Sequence, residues 1–155
     1  MVTSIDEMVS LKDLLDFFIK REETSAVFFS SVAVRTCDPQ IKQTFRALMQ
    51  QCVDRKLLLI RLQLVESRSE TRTDIPLEPI REYLVDVSPR SEMSDMQALA
   101  LSSLRSETSE KLYERILSVI SKPVLRESFE KFHNDHLINK QLCNCMYDQL
   151  LEIEA

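Results

Sequence analysis

The 155-residue chain contains no glycine and no tryptophan. The lack of glycine excludes the phosphate-cradling loops of Walker and dinucleotide-binding type, which need backbone free of a Cβ. It also excludes a nucleophile elbow of the Gly-x-Ser-x-Gly kind. Basic charge is in deficit: 20 Lys and Arg against 25 Asp and Glu give a net charge of −5. A general nucleic-acid binder or a binder of anionic membranes needs a basic face, so neither is expected. No apolar run reaches the roughly 18 residues of a membrane-spanning helix, and the stretch MVTSIDEMVS lacks a signal-peptide pattern. The four cysteines, Cys37, Cys52, Cys143 and Cys145, follow no disulfide-framework spacing and read as reduced thiols of a cytoplasmic protein.

What is present is ordinary for a globular chain: 44% hydrophobic and 29% charged residues. The length fits one domain with a single core. The internal order is less ordinary. REETS at 21–25 returns as RSETS at 105–109. Without gaps, that offset of 84 aligns 10–66 with 94–150. Ser10, Leu15, Arg21, Glu23, Thr24, Ser25, Pro39, Phe45, Lys56 and Leu58 all meet their own kind. Composition alone would give roughly three or four such identities. Punctuation repeats as well. Ser10-x-x-Asp13 and Ser94-x-x-Gln97 both look like helix N-caps, and Pro39 and Pro123 both stand where a second helix would begin.

Each half therefore reads as two long helices, predicted over about 11–35 and 39–66, then 95–119 and 123–153. Leu11, Leu14, Leu15, Phe18, Phe29 and Val32 mark the apolar stripe of the first. Phe129, Phe132, Cys143, Met146 and Leu150 mark that of the last. Hairpins 10–66 and 94–153 flank a polar, proline-punctuated crossover at 67–93 with one short helix expected near Ile80–Val85. A 25-residue helix is about 38 Å long at about 1.5 Å per residue, and the crossover can span that length. It would start helix three parallel to helix two. The fold expected is all-α, a four-helix bundle of two duplicated helical hairpins joined by one long crossover, the ferritin-like topology.

The order helix, Asp-Pro turn, IKQTFRALMQQCVDRK, long connection and second hairpin resembles the rubrerythrin-like branch of the ferritin-like diiron-carboxylate proteins. The resemblance extends over about residues 8–152. It implies a layer of six carboxylate and imidazole ligands for two irons. In the first hairpin the family pattern places ligands at Glu22, Cys52 and Arg55; in the second, at Ser106, His136 and Asn139. Only Glu22 keeps its ligand identity, so the ligand set is degenerate. Two irons bring about four positive charges and need several carboxylates. Arg55 is therefore expected to replace the metal's charge and pair with Glu22, while Ser106, His136 and Asn139 complete a hydrogen-bonded layer. Glu23 and Glu107 are expected to face solvent. No cofactor or metal is expected on this basis. The alternative is a single zinc or iron held by Glu22, Cys52 and His136.

His133 and His136, at i and i+3, share a helical face but more commonly serve as hydrogen-bonding residues at a bundle edge. Cys143-x-Cys145 points two ways and reads as one core and one boundary thiol. Leu57, Leu58, Leu59, Ile60, Leu62, Leu64 and Val65 run almost around their helix, which calls for a second contact. A twofold homodimer would supply it; so would the segment PIREYLV of the crossover. Two functions remain. One is a non-catalytic, dimeric binding or scaffold protein acting through its surface. The other is a metal-binding oxidoreductase of rubrerythrin-like type with a mononuclear centre, although no Cys-x-x-Cys pair exists for a rubredoxin-type iron site. Enzymatic activity is the less expected of the two.

Overall fold

The computed structural model describes residues 7–84, 89–90 and 92–154. Its helices are α1 (Leu11–Arg35), α2 (Pro39–Ser67), α3 (Asp95–Leu117) and α4 (Pro123–Glu154). Two three-residue strands, β1 (Met8–Ser10) and β2 (Asp74–Pro76), and a 3-10 turn at Arg81–Tyr83 complete the described structure.

The helix starts have local causes. Ser10 Oγ accepts from the Asp13 N–H at 3.1 Å, and Ser94 forms a full capping box with Gln97. Asp38 accepts from the amides of Gln40 and Ile41, with Pro39 in the first turn of α2. Both turns that join paired helices are short, so α1 lies antiparallel to α2 and α3 to α4. Glu23 thus meets Lys56 and Asp16 meets Gln63, while Glu110 meets Lys140 and Ser103 meets Asn144. Across the pairs, Thr36 reaches Asp95 and Phe18 stacks on Tyr113; Gln51 reaches Asn139 and Glu66 reaches Lys122. α1 is therefore antiparallel to α3, and α2 to α4. It follows that α2 and α3 run parallel, as the long crossover requires.

The crossover is anchored by a ladder that the sequence pattern did not reveal. β1 and β2 pair antiparallel in the register Met8↔Pro76, Val9↔Ile75 and Ser10↔Asp74. Three residues are too few for an alternation signal, and their partners lie far apart in sequence. Ile75 and Ile80 then insert beside Leu11, Leu15 and Leu59. The short helix expected near Ile80–Val85 is the 3-10 turn; Val85 lies outside the described residues. Leu58 packs against this same cluster, but Leu57, Leu64 and Val65 stay exposed. The crossover thus covers part of the apolar surplus of α2 and leaves the rest to solvent.

Burial repeats at the same offset as sequence. Every buried position of α4, from Leu125 and Phe129 through His136 and Asn139 to Met146, is a buried position of α2 plus 84. In α3, all buried positions but Ser109 match buried positions of α1. Two apolar clusters result. One gathers Phe18, Leu59, Tyr113, Phe129 and Phe132; the other gathers Phe29, Phe45, Leu48, Leu99 and Cys143. Between them lies a layer of buried polar side chains.

Candidate functional site

The polar layer takes one short segment from each helix. From α1 come Arg21, Glu22 and Ser25; from α2, Cys52 and Arg55. α3 supplies Arg105, Ser106 and Ser109, and α4 supplies His136 and Asn139. With Phe29 they line a cavity of about 20 Å³. All six residues that the family pattern marks thus face one space.

Glu22 and Arg55 form its centre. Arg55 Nε donates to Glu22 Oε1 at 3.1 Å, and the two side chains are only 3% and 6% exposed. Arg55 Nη1 donates to Gln51 Oε1 at 3.3 Å and Nη2 lies 3.6 Å from Cys52 Sγ. Asn139 Nδ2 donates to the same Gln51 oxygen at 2.8 Å, which ties α4 to α2. Burial alone would lower the Arg55 pKa, but the charge and hydrogen bond of Glu22, together with Cys52 and Tyr113, outweigh it and the net shift is upward. The guanidinium stays charged. Burial, reinforced by the Glu22 charge, pushes the Cys52 thiol far up, so without a metal Cys52 is a neutral thiol.

His136 stands opposite. Its ring stacks on Tyr113, with centroids 5.8 Å apart and planes at 15°. Its Nε2 lies 3.9 Å from Glu22 Oε2, beyond hydrogen-bond length, and has no hydrogen-bond partner. Burial first, then the positive field of Arg55 and Arg21, holds the imidazole well below its ordinary pKa. It is neutral at pH 7.

The repeated pentapeptide divides between inside and outside. Arg21 and Arg105 are buried and meet each other: Arg21 Nη2 donates to the Arg105 carbonyl at 3.4 Å, and Arg105 Nη2 donates to Ser25 Oγ at 2.8 Å. Glu23 and Glu107 face outward, paired with Lys56 and Lys111. Thr24 and Thr108 both donate to the carbonyl four residues back, at 3.0 Å in each copy. Arg21, Arg105 and Gln51 were not singled out as layer residues from sequence. The available signal was the repeat itself, because an identical arginine on an otherwise apolar stripe points inward twice.

These residues do not fit a diiron centre. One carboxylate, already bonded to a guanidinium, cannot balance two irons, and Ser106 and Asn139 are neutral. A different group has ligand geometry. Glu110, Glu114 and His133 place their ligating atoms within 4.8 Å of one another, and among the described residues they alone form such a cluster of three. Glu110 there already accepts from Lys140 Nζ at 2.9 Å, and His133 Nε2 is 4.0 Å from Glu110 Oε1. From sequence His133 stands out but the two glutamates do not, since their i, i+4 spacing on an outward helix face is common. Cys143 is buried and Cys145 exposed, as their spacing required. Among the described residues no helix is long and apolar enough to cross a membrane. Compared with known proteins, the chain matches no family model, no curated protein and no solved structure.

Proposed function

We propose that the chain is a ferritin-like bundle of two duplicated hairpins whose diiron layer has become a salt-bridged polar layer, and that it acts as a non-catalytic, dimeric binding or scaffold protein. The buried Glu22–Arg55 pair carries this reading. A guanidinium in a ligand layer repels divalent ions and neutralises the remaining ligand carboxylate. The offset of 84 in identities, caps and buried positions supports the duplication, and the parallel course of α2 and α3 supports the topology. Function follows from the site and not from the fold. A layer whose one carboxylate is already paired with a guanidinium supplies structure more readily than chemistry.

Association is supported on the outer face of α1 and α2. Val27, Val53, Leu57 and Leu64 are exposed there, and Val27, Val53 and Leu57 line one groove with Glu23 and Lys56 at its rim. In a twofold pairing the apolar residues would meet their own copies, and each Lys56 could face a partner Glu23. The second reading, a mononuclear metal oxidoreductase, draws on the approach of His136 to Glu22. Elemental analysis of natively purified protein, with sedimentation of the same sample, tests both. A metal-free dimer is expected. Stoichiometric iron or zinc that is lost in Glu22→Ala would overturn the first reading in favour of the second.

A further inference from the structure

We propose that Glu110 and Glu114 of α3 and His133 of α4 form a binding site for one divalent metal ion of zinc type on the outer face of the second hairpin. The three place their ligating atoms within 4.8 Å of one another. Glu110 stands one turn after Ser106 and His133 one turn before His136, so the site lies a turn beyond the polar layer. It uses none of that layer's residues and stands or falls separately from the metal-free reading of it. Two carboxylates with an imidazole suit zinc, whereas a hard ion such as magnesium prefers oxygen ligands alone. Ligand atoms bound at about 2.1 Å in a tetrahedron stand about 3.4 Å apart, so the set has to close by at most about 1.4 Å. Glu114 is exposed and free to make that movement. The fourth position is left to water.

The surroundings hold both helices' donors as a metal site does. His133 Nε2 lies 4.0 Å from Glu110 Oε1, too far for a hydrogen bond. The other ring nitrogen, Nδ1, stands 3.3 Å from Asn134 Oδ1. An amide oxygen only accepts, so Nδ1 holds the proton of the neutral ring and Nε2 turns a lone pair toward the carboxylate. A metal-bound histidine is oriented in this way, by a hydrogen bond from its second nitrogen. Glu110 is held likewise: Lys140 Nζ donates to Oε2 at 2.9 Å and leaves Oε1 facing His133. Lys140 offsets one of the two carboxylates, and the other leaves the site negative. The repeat adds a contrast between the copies. At the matching positions the first hairpin has Ala26, Ser30 and Met49, of which Ala26 and Met49 pack against an apolar cluster. All three ligand positions differ together. The repeated lysine has changed partner too: Lys56 pairs with Glu23, but Lys140 pairs with Glu110 and leaves Glu107 to Lys111.

Zinc chloride is the probe, added to the full chain after dialysis against EDTA. With one ligand exposed the ion exchanges with solution, so protein purified without added zinc does not retain it. Calorimetric titration is expected to show saturable uptake of one zinc per chain, with a melting temperature that rises with zinc but not with magnesium. His133→Ala and Glu114→Gln should each weaken uptake by at least about 10-fold, the lower bound for losing even a supporting group of a metal site. The double variant Cys37→Ser, Cys145→Ser, which removes the two exposed thiols, should bind as the wild type does. Absence of uptake overturns the proposal, as does an equal response to magnesium, uptake undiminished in His133→Ala, or uptake lost with the two thiols. Uptake kept in His133→Ala but lost in Glu22→Ala would overturn the metal-free layer as well; no uptake by any form would overturn this proposal alone.

Discussion

Replacing Arg55 with methionine probes the layer most directly. Arg55 and Glu22 are both more than nine-tenths buried and share a 3.1 Å hydrogen bond. The substitution keeps most of the aliphatic volume but strands the Glu22 carboxylate beside the neutral Cys52 thiol and an uncharged His136 3.9 Å away. Breaking a buried pair from one side costs about 3–5 kcal/mol. A domain of this kind has about 5–15 kcal/mol in all, so the loss should be plain in urea unfolding followed by circular dichroism. The double variant Glu22→Leu, Arg55→Met removes both charges and both desolvation costs. Such replacements of buried pairs are often neutral or stabilising by about 1–4 kcal/mol. The double variant should therefore be more stable than Arg55→Met alone. If Arg55→Met costs under about 1 kcal/mol, or the double variant is the worse of the two, the pair does not organise the layer as argued.

Acid should destabilise the fold through His136. Its native pKa is depressed by burial and by the arginines, so the unfolded chain binds the extra proton first. Stability is full above the ordinary value of about 6.5 and falls at up to about 1.4 kcal/mol per pH unit below it, until the native value is reached. His136→Asn should flatten that slope in urea titrations across this range; equal slopes would refute it. Truncating Ile80 to alanine, fully buried where the crossover meets the bundle, should cost about 2–5 kcal/mol, and a loss near zero would show that the crossover is not packed. Leu57→Glu, at a position 53% exposed, should leave the melting temperature of the monomer fold nearly unchanged but abolish the proposed dimer in sedimentation. An unchanged dimer would place the interface elsewhere.

Helices were the most legible part of the chain, because their ends carry local chemistry. Ser10, Asp38 and Ser94 supply side-chain acceptors at three starts, and the two prolines fix the register of α2 and α4. The β1–β2 ladder was not legible, since it depends on two short segments brought together by the fold. The same holds for the crossover: the sequence allowed either a partner or PIREYLV to cover the surplus of α2, and in the fold Leu58 is packed beside the crossover while Leu57, Leu64 and Val65 stay exposed. At the site, the pattern of the family that the chain resembles, counted from Phe45, set Arg55 in one layer with Glu22. Gln51 escaped that count. It sits at the edge of the stripe and reaches the layer only through its long side chain, where one oxygen accepts from both Arg55 and Asn139.

The proposed duplication also explains which copies diverged. Positions related by 84 face each other near the middle of the bundle, as Arg21 and Arg105 do. With metal between the halves, identical carboxylates can face one another because the cations balance them. Without metal, a second glutamate at 106 would bring two buried carboxylates into one layer, and a second arginine at 139 would do the same with guanidiniums. Like charges in so dry a site are costly. A metal-free layer therefore has to be asymmetric. Glu22 is matched by Ser106 and Arg55 by Asn139, so one hairpin contributes an ion pair and the other contributes neutral partners. Arg21 and Arg105 are the exception, a like-charged pair that both copies kept. Both line the small cavity, where Arg105 is held by the Ser25 hydroxyl and Arg21 by the Arg105 carbonyl.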